Sequence, residues 1–239
     1  MPRHLTKDWT IVRYLLTAIV ALVAGFGGAA LWSMTGMANA GTREYLVANP
    51  DILPEMAEAY QRGQAQERLA AIGPEAEAAF PGAVLGNPNG SKTLVKFSDY
   101  ACSYCRLSVA EVEKLIAENP DLKVVLREWP IFQGSEEAAR MGLAAAQQGK
   151  YDAFYHAMFE LGPPNAQSIA AAAQRAGLDM EAATAFAASE QVTAELAKNQ
   201  ALAGQLGFSG TPSWIVEGEV VEGYVDHDRL ARLLEGEAT

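Results

Sequence analysis

The sequence is poor in residues that bind metals or form disulfides, with only two cysteines and three histidines in 239 residues. Cys102 and Cys105 supply half of a four-ligand zinc site, and the histidines stand far apart, at His4, His156 and His227. A zinc site is therefore disfavoured. A purely structural disulfide is disfavoured as well, because closing a four-residue loop stabilises a fold by only about 2 kcal/mol.

Basic residues are also scarce, since 18 lysines and arginines face 29 acidic residues and leave a net charge of −11. Binding to a nucleic-acid backbone needs a basic surface, so nucleic acid is excluded as the expected partner. Half of the residues are hydrophobic and 20% are charged, which is neither a disordered nor a fibrous composition. The chain is long enough for one domain with a full core and an appendage.

Charge is absent from residues 14–32, "YLLTAIVALVAGFGGAALW". As a helix these nineteen residues are long enough to cross a bilayer core of about 30 Å. Basic residues precede the segment and none follow closely, so the N-terminus is expected in the cytoplasm and the remainder outside. "MANA" at 37–40 ends in an Ala-x-Ala pattern that suits signal peptidase. Residues 1–40 are therefore either an uncleaved signal anchor or a signal peptide cleaved after Ala40.

Residues 41–80 are rich in Ala, Glu, Gln and Arg and predict a helical extension made of short helices. Asn49 and Pro50 have the pattern of an N-cap followed by proline at the first helical position. Four apolar residues after them share one face: Ile52, Leu53, Met56 and Tyr60. This face either packs on the main domain, lies near the membrane or pairs with copies of itself. Residues 81–92, "PGAVLGNPNGSK", predict a linker and a turn.

From residue 93 onward the pattern predicts an α/β domain. "TLVKFSDY" at 93–100 and "LKVVLREWP" at 122–130 are expected strands, and residues 102–118 carry helical periodicity between them. Residues 213–224, "SWIVEGEVVEGY", predict a hairpin around Gly218, and a helix follows over 226–234. A β-α-β half and a β-β-α half thus flank a long middle section.

The middle section, about 135–206, is rich in alanine and predicts an insertion of four or five helices. Four sets of helix-breaking residues punctuate it: Gly149, residues 162–165, Gly177 and Gly204.

The two cysteines lie where the first strand becomes a helix. Free backbone N–H groups and the positive end of the helix dipole favour a thiolate at Cys102. The dipole is worth up to about 2 kcal/mol, and one pKa unit corresponds to about 1.36 kcal/mol, so the pKa of Cys102 should fall by a unit or more. Cys105, one turn further in, should be more buried and less reactive. The pair is predicted to work as attacking and resolving thiols.

These features together resemble the DsbA-like thiol:disulfide oxidoreductases of the bacterial periplasm, in the thioredoxin superfamily. The resemblance covers residues 81–235 and is carried by Cys-x-x-Cys at a strand-to-helix junction, the helical insertion, "REWPIFQGSEEAARMGLAA" at 127–145 and "FSGTPSWIV" at 208–216. It implies a thioredoxin-like fold with an inserted α-helical domain. It also implies that the Cys102–Cys105 disulfide is the redox group, without a further cofactor.

The resemblance further implies that Pro212 is a cis-proline facing the disulfide and that the backbone of Thr211 pairs with an extended substrate. A trans proline at the entry of an edge strand is the alternative. Between the cysteines, strongly oxidising relatives often carry Pro-His, whereas this chain has Ser103 and Tyr104. These two residues are expected to contact substrate, and the oxidising power stays open.

A second departure lies in the strand before the cysteines, where relatives often carry a buried acid and this chain has Lys96. Another group must then accept the proton of the resolving thiol. Asp99 and Glu128 are candidates, with the alternative that each is a solvated surface acid. Lys96 could itself favour a thiolate electrostatically.

The sequence therefore predicts an enzyme that forms or rearranges disulfides in exported proteins. It is expected to act in the periplasm, tethered to the inner membrane by residues 14–32. Expected partners are unfolded or misoxidised exported proteins and a membrane or periplasmic redox partner. Three alternatives are a disulfide isomerase or reductase that forms homo-oligomers through the N-terminal helices, a non-redox chaperone, and a glutathione-dependent isomerase or transferase. The resolving thiol argues against the last.

Overall fold

A computed structural model describes residues 5–34 and 37–237, with side chains described over 12–29 and from 41 onward. Arg3, one of the basic residues that precede the apolar segment, and His4 lie outside these residues. Contacts within the chain divide it into two compact units, one ending at Ala59 and one beginning at Tyr60. This boundary falls inside the extension predicted over 41–80.

The first unit is helical. It contains α1 (Leu5–Met34), α2 (Met37–Ala48), a 3-10 turn (Pro50–Ile52) and the beginning of α3 (Leu53–Glu77). Within the described residues, α1 is the helix that is long and apolar enough to cross a membrane, over Val12–Ala29, and none of that window is buried. A signal sequence near an N-terminus would look the same, so anchor and signal peptide both stay open.

The extension differs from the several short helices that the sequence predicted, because α3 runs unbroken for 25 residues. Alanine-rich sequences have high helix propensity, and a glycine inside a helix costs only about 1 kcal/mol, so α3 continues through Gly63. Pro50 does occupy the first position of the 3-10 turn. The Asn49 side chain does not cap that turn; its Nδ2 donates to the Tyr45 carbonyl at 2.8 Å.

The second unit is built on a five-stranded sheet with the order β1-β3-β2-β4-β5. The strands are β1 (Val84–Gly86), β2 (Lys92–Ser98), β3 (Leu122–Glu128), β4 (Ser213–Val216) and β5 (Glu219–Glu222). β2 and β3 are parallel, and the other neighbours are antiparallel. The prediction that 81–92 is only a linker and turn is wrong at β1. Three residues are too few to show alternation, and β1 exists because it pairs with the edge of β3.

Helices cover this sheet as the sequence predicted. α4 (Ser103–Glu118) connects β2 to β3, and α10 (His227–Leu234) follows the hairpin and packs on α4. The insertion has five helices: α5 (Glu136–Gln147), α6 (Tyr151–Leu161), α7 (Ala166–Arg175), α8 (Met180–Ala187) and α9 (Glu190–Leu206). Gly204 lies inside α9 and does not end a helix, contrary to the prediction. α9 ends at Leu206 and is capped by Gly207, which adopts the left-handed conformation.

Alternation along the strands divides the core between the two faces of the sheet. Leu94, Val124 and Trp214 face a cluster that includes α4 and much of the insertion. Val95, Val125 and Ile215 face the other cluster, with the end of α9 and Phe208. Lys96 has the same parity as Leu94 and is paired with Trp214 in register, so its side chain enters the first cluster.

The end of α3 is fastened to β3 by one buried cation, Arg127. Its guanidinium donates to the carbonyls of Glu75, Ala76 and Ala78 at 2.5 to 3.1 Å. It also donates to side chains of α9, the Glu195 carboxylate at 2.9 Å and the Asn199 amide oxygen at 3.1 Å. The carbonyls that a helix leaves unpaired at its end thus find donors inside the domain.

Candidate active site

Cys102 occupies the N-cap of α4, between the end of β2 and the first helical turn. Its backbone is extended, with φ −78° and ψ 122°, and its Sγ accepts a hydrogen bond from the Cys105 N–H at 3.4 Å. Both cysteines are free thiols. The sulfur therefore lies against the unpaired N–H groups of a helix N-terminus, as the position of the motif predicted.

The two thiols differ in acidity. Hydrogen bonds that the Cys102 sulfur accepts from the Cys105 thiol, the Thr211 side chain and the backbone N–H groups of Cys105 and Tyr104 lower the pKa of Cys102 to about 5, against the effect of burial. Burial raises the pKa of Cys105 far above its ordinary value. Cys102 is 4% exposed and Cys105 is fully buried. Cys102 is thus the sulfur that carries the negative charge, and it has a narrow opening to solvent.

A proline loop from the C-terminal half of the chain lies against this sulfur. The Thr211–Pro212 peptide bond is cis, which confirms the predicted isomer, and the Thr211 carbonyl lies 3.1 Å from the Cys102 Sγ. Glu222 holds the loop by accepting from the Ser209 hydroxyl at 2.5 Å and the Ser209 N–H at 3.2 Å. Two segments 109 residues apart in sequence therefore form one site.

The residues between the cysteines point outward. Ser103 is exposed, and the Tyr104 side chain is 58% exposed with its ring centroid 6.5 Å from that of Tyr224. Further exposed apolar side chains lie on the segments that frame Cys102: Leu107 in α4, and Ile131 and Phe132 in the loop after β3. These segments present apolar surface beside the reactive sulfur.

Lys96 lies behind the cysteines, fully buried in the middle of β2. Its Nζ donates to the Tyr155 hydroxyl at 2.8 Å and to the Cys105 carbonyl at 3.4 Å. The ammonium is also 5.3 Å from the ring centroid of Trp214, 5.5 Å from that of Tyr155 and 5.8 Å from that of Phe159. Burial lowers the pKa of Lys96 to about 8, while the negative charge of the cysteines and of Glu128 acts in the opposite direction.

Glu128 and Asp99 are both buried, so the alternative that they are solvated surface acids is wrong. The Glu128 Oε1 accepts from the hydroxyls of Tyr100 at 2.8 Å and Tyr151 at 2.6 Å. Burial raises the pKa of Glu128 to about 8, although both hydrogen bonds lower it. Glu128 is therefore a carboxyl group that changes charge near neutral pH.

Asp99 has a different environment, because four donors surround its carboxylate. Oδ1 accepts from the Ala101 N–H at 2.7 Å, and Oδ2 accepts from the N–H groups of Ile131 and Phe132 and the Ser135 hydroxyl at 2.7 to 2.9 Å. This carboxylate ties the loop after β3 to the segment that leads into Cys102. It is a structural fastening beside the site.

Sequence reasoning missed the aromatic residues that α6 contributes, above all Tyr155 and Tyr151. Four aromatic residues in nine positions, Tyr151, Phe154, Tyr155 and Phe159, interrupt an otherwise alanine-rich insertion and were a usable signal. Their partners in β2 and β3 could not be identified from that pattern. Over residues 5–34 and 37–237, no group of three His, Cys, Asp or Glu residues is placed to hold a metal ion.

Comparison with known proteins gives two family matches. The model of the DSBA-like thioredoxin domain matches residues 93–235, and that of the copper resistance protein ScsC N-terminal domain matches residues 42–67. A thioredoxin-like oxidoreductase from Silicibacter pomeroyi is 44% identical, with a TM-score of 0.62, over 64% of this chain and 90% of that chain. The match to the first model includes both cysteines and the cis-proline loop.

Two other relatives are more distant. A linker-deletion mutant of Proteus mirabilis ScsC is 22% identical, with a TM-score of 0.70 over 86% of this chain and 95% of that chain, and shows the shared fold. The Na(+)/H(+) antiporter NhaA of Herminiimonas arsenicoxydans is 29% identical over 154 residues, 64% of this chain but only 25% of the antiporter. The fold predicted from the sequence is confirmed, and this chain belongs to the family of DSBA-like thioredoxin domains.

Proposed function

We propose that this protein catalyses thiol–disulfide exchange on exported proteins, with Cys102 as the nucleophile and Cys105 as the resolving thiol. The observation that carries the proposal is the position of the acidic Cys102 sulfur at a helix N-terminus, 3.1 Å from the Thr211 carbonyl of the cis-proline loop. A thiolate at neutral pH is the attacking species in disulfide exchange.

Whether the client is oxidised or reduced, it forms its mixed disulfide with Cys102, and Cys105 is the sulfur that leaves or resolves. In oxidation, a client thiolate attacks Cys102 in the Cys102–Cys105 disulfide, and Cys105 leaves and is protonated. A second client thiolate then attacks the client sulfur of the mixed disulfide, and Cys102 leaves as a thiolate. A low pKa makes Cys102 the better leaving group in that step. In reduction or rearrangement, the Cys102 thiolate attacks a client disulfide, and Cys105 resolves the mixed disulfide.

The client is an extended, partly unfolded exported protein with a thiol or a wrong disulfide. The Thr211 backbone is available to pair with an extended segment, as in strand addition. Ser103, Tyr104 and the exposed apolar side chains around them provide a surface for its apolar residues. Continued turnover also needs a membrane or periplasmic redox partner that returns the cysteines to their starting state.

The proposed location is the bacterial periplasm, with α1 tethering the protein to the inner membrane and the N-terminus in the cytoplasm. The length and exposure of Val12–Ala29 support this placement, as does the cluster of basic residues before it. Fractionation of cells that express the full chain, with and without alkaline extraction, distinguishes a retained anchor from a cleaved signal peptide.

The test of the exchange reaction uses the full chain in detergent with reduced and scrambled model substrates. We expect Cys102→Ser to abolish turnover, and Cys105→Ser to accumulate a mixed disulfide that is visible on a non-reducing gel. Full activity of Cys102→Ser would overturn the proposal. If the double serine variant still prevents aggregation of an unfolded client as well as wild type does, the protein acts as a non-redox chaperone instead.

An isomerase or reductase that assembles through its N-terminal helices is the second candidate. Exposed apolar side chains favour it, because Tyr45, Val47, Leu53, Met56 and Tyr60 are 48 to 70% exposed. A protein of this type would rescue scrambled substrate better than it oxidises reduced substrate. Sedimentation velocity of the full chain in detergent, compared with a Leu53→Glu variant, tests the assembly.

A further inference from the structure

Lys96 is a buried cation that the exchange steps above do not use. It lies on β2 behind the active-site turn, with its Nζ 3.4 Å from the Cys105 carbonyl and 2.8 Å from the Tyr155 hydroxyl. Three aromatic rings surround it, and water has no access to it. A buried ammonium needs negative charge close by, because its desolvation is costly.

The groups that face Lys96 come from four segments. α4 contributes Cys102 and Cys105, α6 contributes the Tyr155 hydroxyl, β3 contributes Glu128, and Tyr100 follows β2 beside Glu128. Burial raises the pKa values of the two phenols well above their ordinary value, and that of Glu128 to about 8, so these groups are mainly neutral at neutral pH. The sulfurs are therefore the main source of negative charge for Lys96 at neutral pH.

The charge on the sulfurs depends on their redox state. In the reduced protein the two thiols share one proton, so one negative charge faces Lys96 wherever that proton resides. In the disulfide both sulfurs are neutral, and a buried ammonium next to them loses its compensating charge. The neutral amine is then the favoured form of Lys96.

We propose that Lys96 takes up a proton when the Cys102–Cys105 disulfide is reduced and releases it when the disulfide reforms, with Tyr155 positioning the amine behind Cys105. This inference rests on the proposed exchange function and deepens it. Lys96 occupies the position where the sequence comparison led us to expect a buried acid. It is a positioning and proton-holding residue, and it makes no bond to the client.

The reaction balances in atoms and charge. A client dithiol transfers two electrons to the enzyme disulfide and becomes a client disulfide. Its two protons go to Cys105, which becomes a thiol, and to the Lys96 amine, which becomes an ammonium, while Cys102 becomes a thiolate. Lys96 and Cys102 then form a buried pair of opposite charges. The reverse reaction returns both protons to the reduced client.

The test is the equilibrium of the full chain with glutathione, measured from about pH 6 to about pH 7.5, above the pKa of Cys102 and below that of an ordinary thiol. Two glutathione thiols release two protons as they form a disulfide. If the enzyme takes up both, the equilibrium constant does not change with pH. The Lys96→Met protein takes up only one proton, so its equilibrium constant for reduction of the Cys102–Cys105 disulfide by glutathione should rise about tenfold per pH unit.

Lys92→Met is the matched control, because Lys92 begins the same strand at the end far from the cysteines. It should retain the pH-independent constant of wild type. A tenfold rise per pH unit in wild type itself would overturn the inference. If wild type forms no Cys102–Cys105 disulfide with oxidised glutathione at any pH, the proposed exchange function fails instead, so the two failures are distinguishable.

A second measurement avoids reliance on a folded Lys96→Met protein. The side-chain 13C resonance of Lys96 is titrated by NMR in the oxidised and reduced wild-type protein. We expect the midpoint to be at least about two pH units lower in the oxidised protein, as full proton uptake from about pH 6 to about pH 7.5 requires, and Tyr155→Phe to change that separation. Equal midpoints in the two redox states would contradict the inference.

Discussion

The ends of the parallel strands β2 and β3 each carry a buried carboxyl group, Asp99 and Glu128, in different environments. The two residues are similarly buried, at 1% and 2% exposure. Asp99 accepts three backbone N–H groups and a serine hydroxyl, whereas Glu128 accepts two tyrosine hydroxyls. The donors of Asp99 tie it to the position of a loop. Burial raises the pKa of Glu128 to about 8, although its two phenol donors act in the opposite direction. Similar burial thus accompanies two different roles.

Replacing Asp99 should have the largest effect on stability. Asp99→Ala leaves three backbone N–H groups without an acceptor, while the Ser135 hydroxyl keeps its bond to the Phe132 carbonyl. Each buried unpaired donor costs about 1 to 3 kcal/mol, so we expect the free energy of unfolding to fall by about 3 kcal/mol or more. Asp99→Asn keeps one acceptor oxygen and should lose less. Urea denaturation of the oxidised proteins measures both.

The control for this replacement is Asp121→Asn, at an exposed aspartate that accepts hydrogen bonds from Ser91. It should change stability little, because solvent replaces the lost interaction. A loss for Asp99→Ala no larger than that for Asp121→Asn would show that Asp99 does not fasten the loop.

Replacing Glu128 should produce an effect that depends on pH. The pKa of Glu128 is about 8 in the folded protein and near its ordinary value of 4.5 when unfolded, so the folded state binds the proton more tightly. Its contribution to stability is complete below about pH 4.5 and is lost as pH rises towards 8. Relative to wild type, Glu128→Gln should gain about 3 to 4 kcal/mol between about pH 5 and about pH 8.

This comparison is best made on the oxidised protein, in which Cys102 does not titrate. The exposed Glu77→Gln variant serves as the control for removing one surface carboxylate. A difference between Glu128→Gln and wild type that is the same at both pH values would contradict the assigned role of Glu128.

A methyl group beside Glu128 should have the smallest of the three effects. A Cβ added to Gly142 in α5 would lie 2.8 Å from the Glu128 Oε1 and 3.0 Å from the Tyr100 hydroxyl, so both must move. We expect Gly142→Ala to destabilise the protein by about 1 to 2 kcal/mol in thermal unfolding. Gly204→Ala in α9 is the matched control, because its Cβ would meet nothing within 4 Å and should be neutral or stabilising. Equal effects of the two variants would mean that the space around Glu128 is not restricted.

Much of the site could be predicted because its signals are local. The place of Cys102 at the start of α4 follows from a strand pattern followed by helical periodicity. The cis-proline loop was expected from the resemblance to the DsbA-like family, to which the Gly-Thr-Pro sequence before β4 contributes. The punctuation predicted four or five helices for the insertion, and the structure has five, although Gly204 does not end one of them. The short β1 escaped prediction because a three-residue strand has no periodicity of its own and depends on pairing with β3.

The sequence by itself determined the order of strands and helices from residue 93 onward, the apolar segment of α1, and which of the two thiols begins a helix. Only the tertiary structure decided that Lys96, Asp99 and Glu128 are buried and which donors each of them meets. The physical reason is that backbone propensity and periodicity act over only a few residues along the chain. The partner of Lys96, by contrast, is Tyr155, 59 positions away, brought into contact when the insertion packs on the sheet.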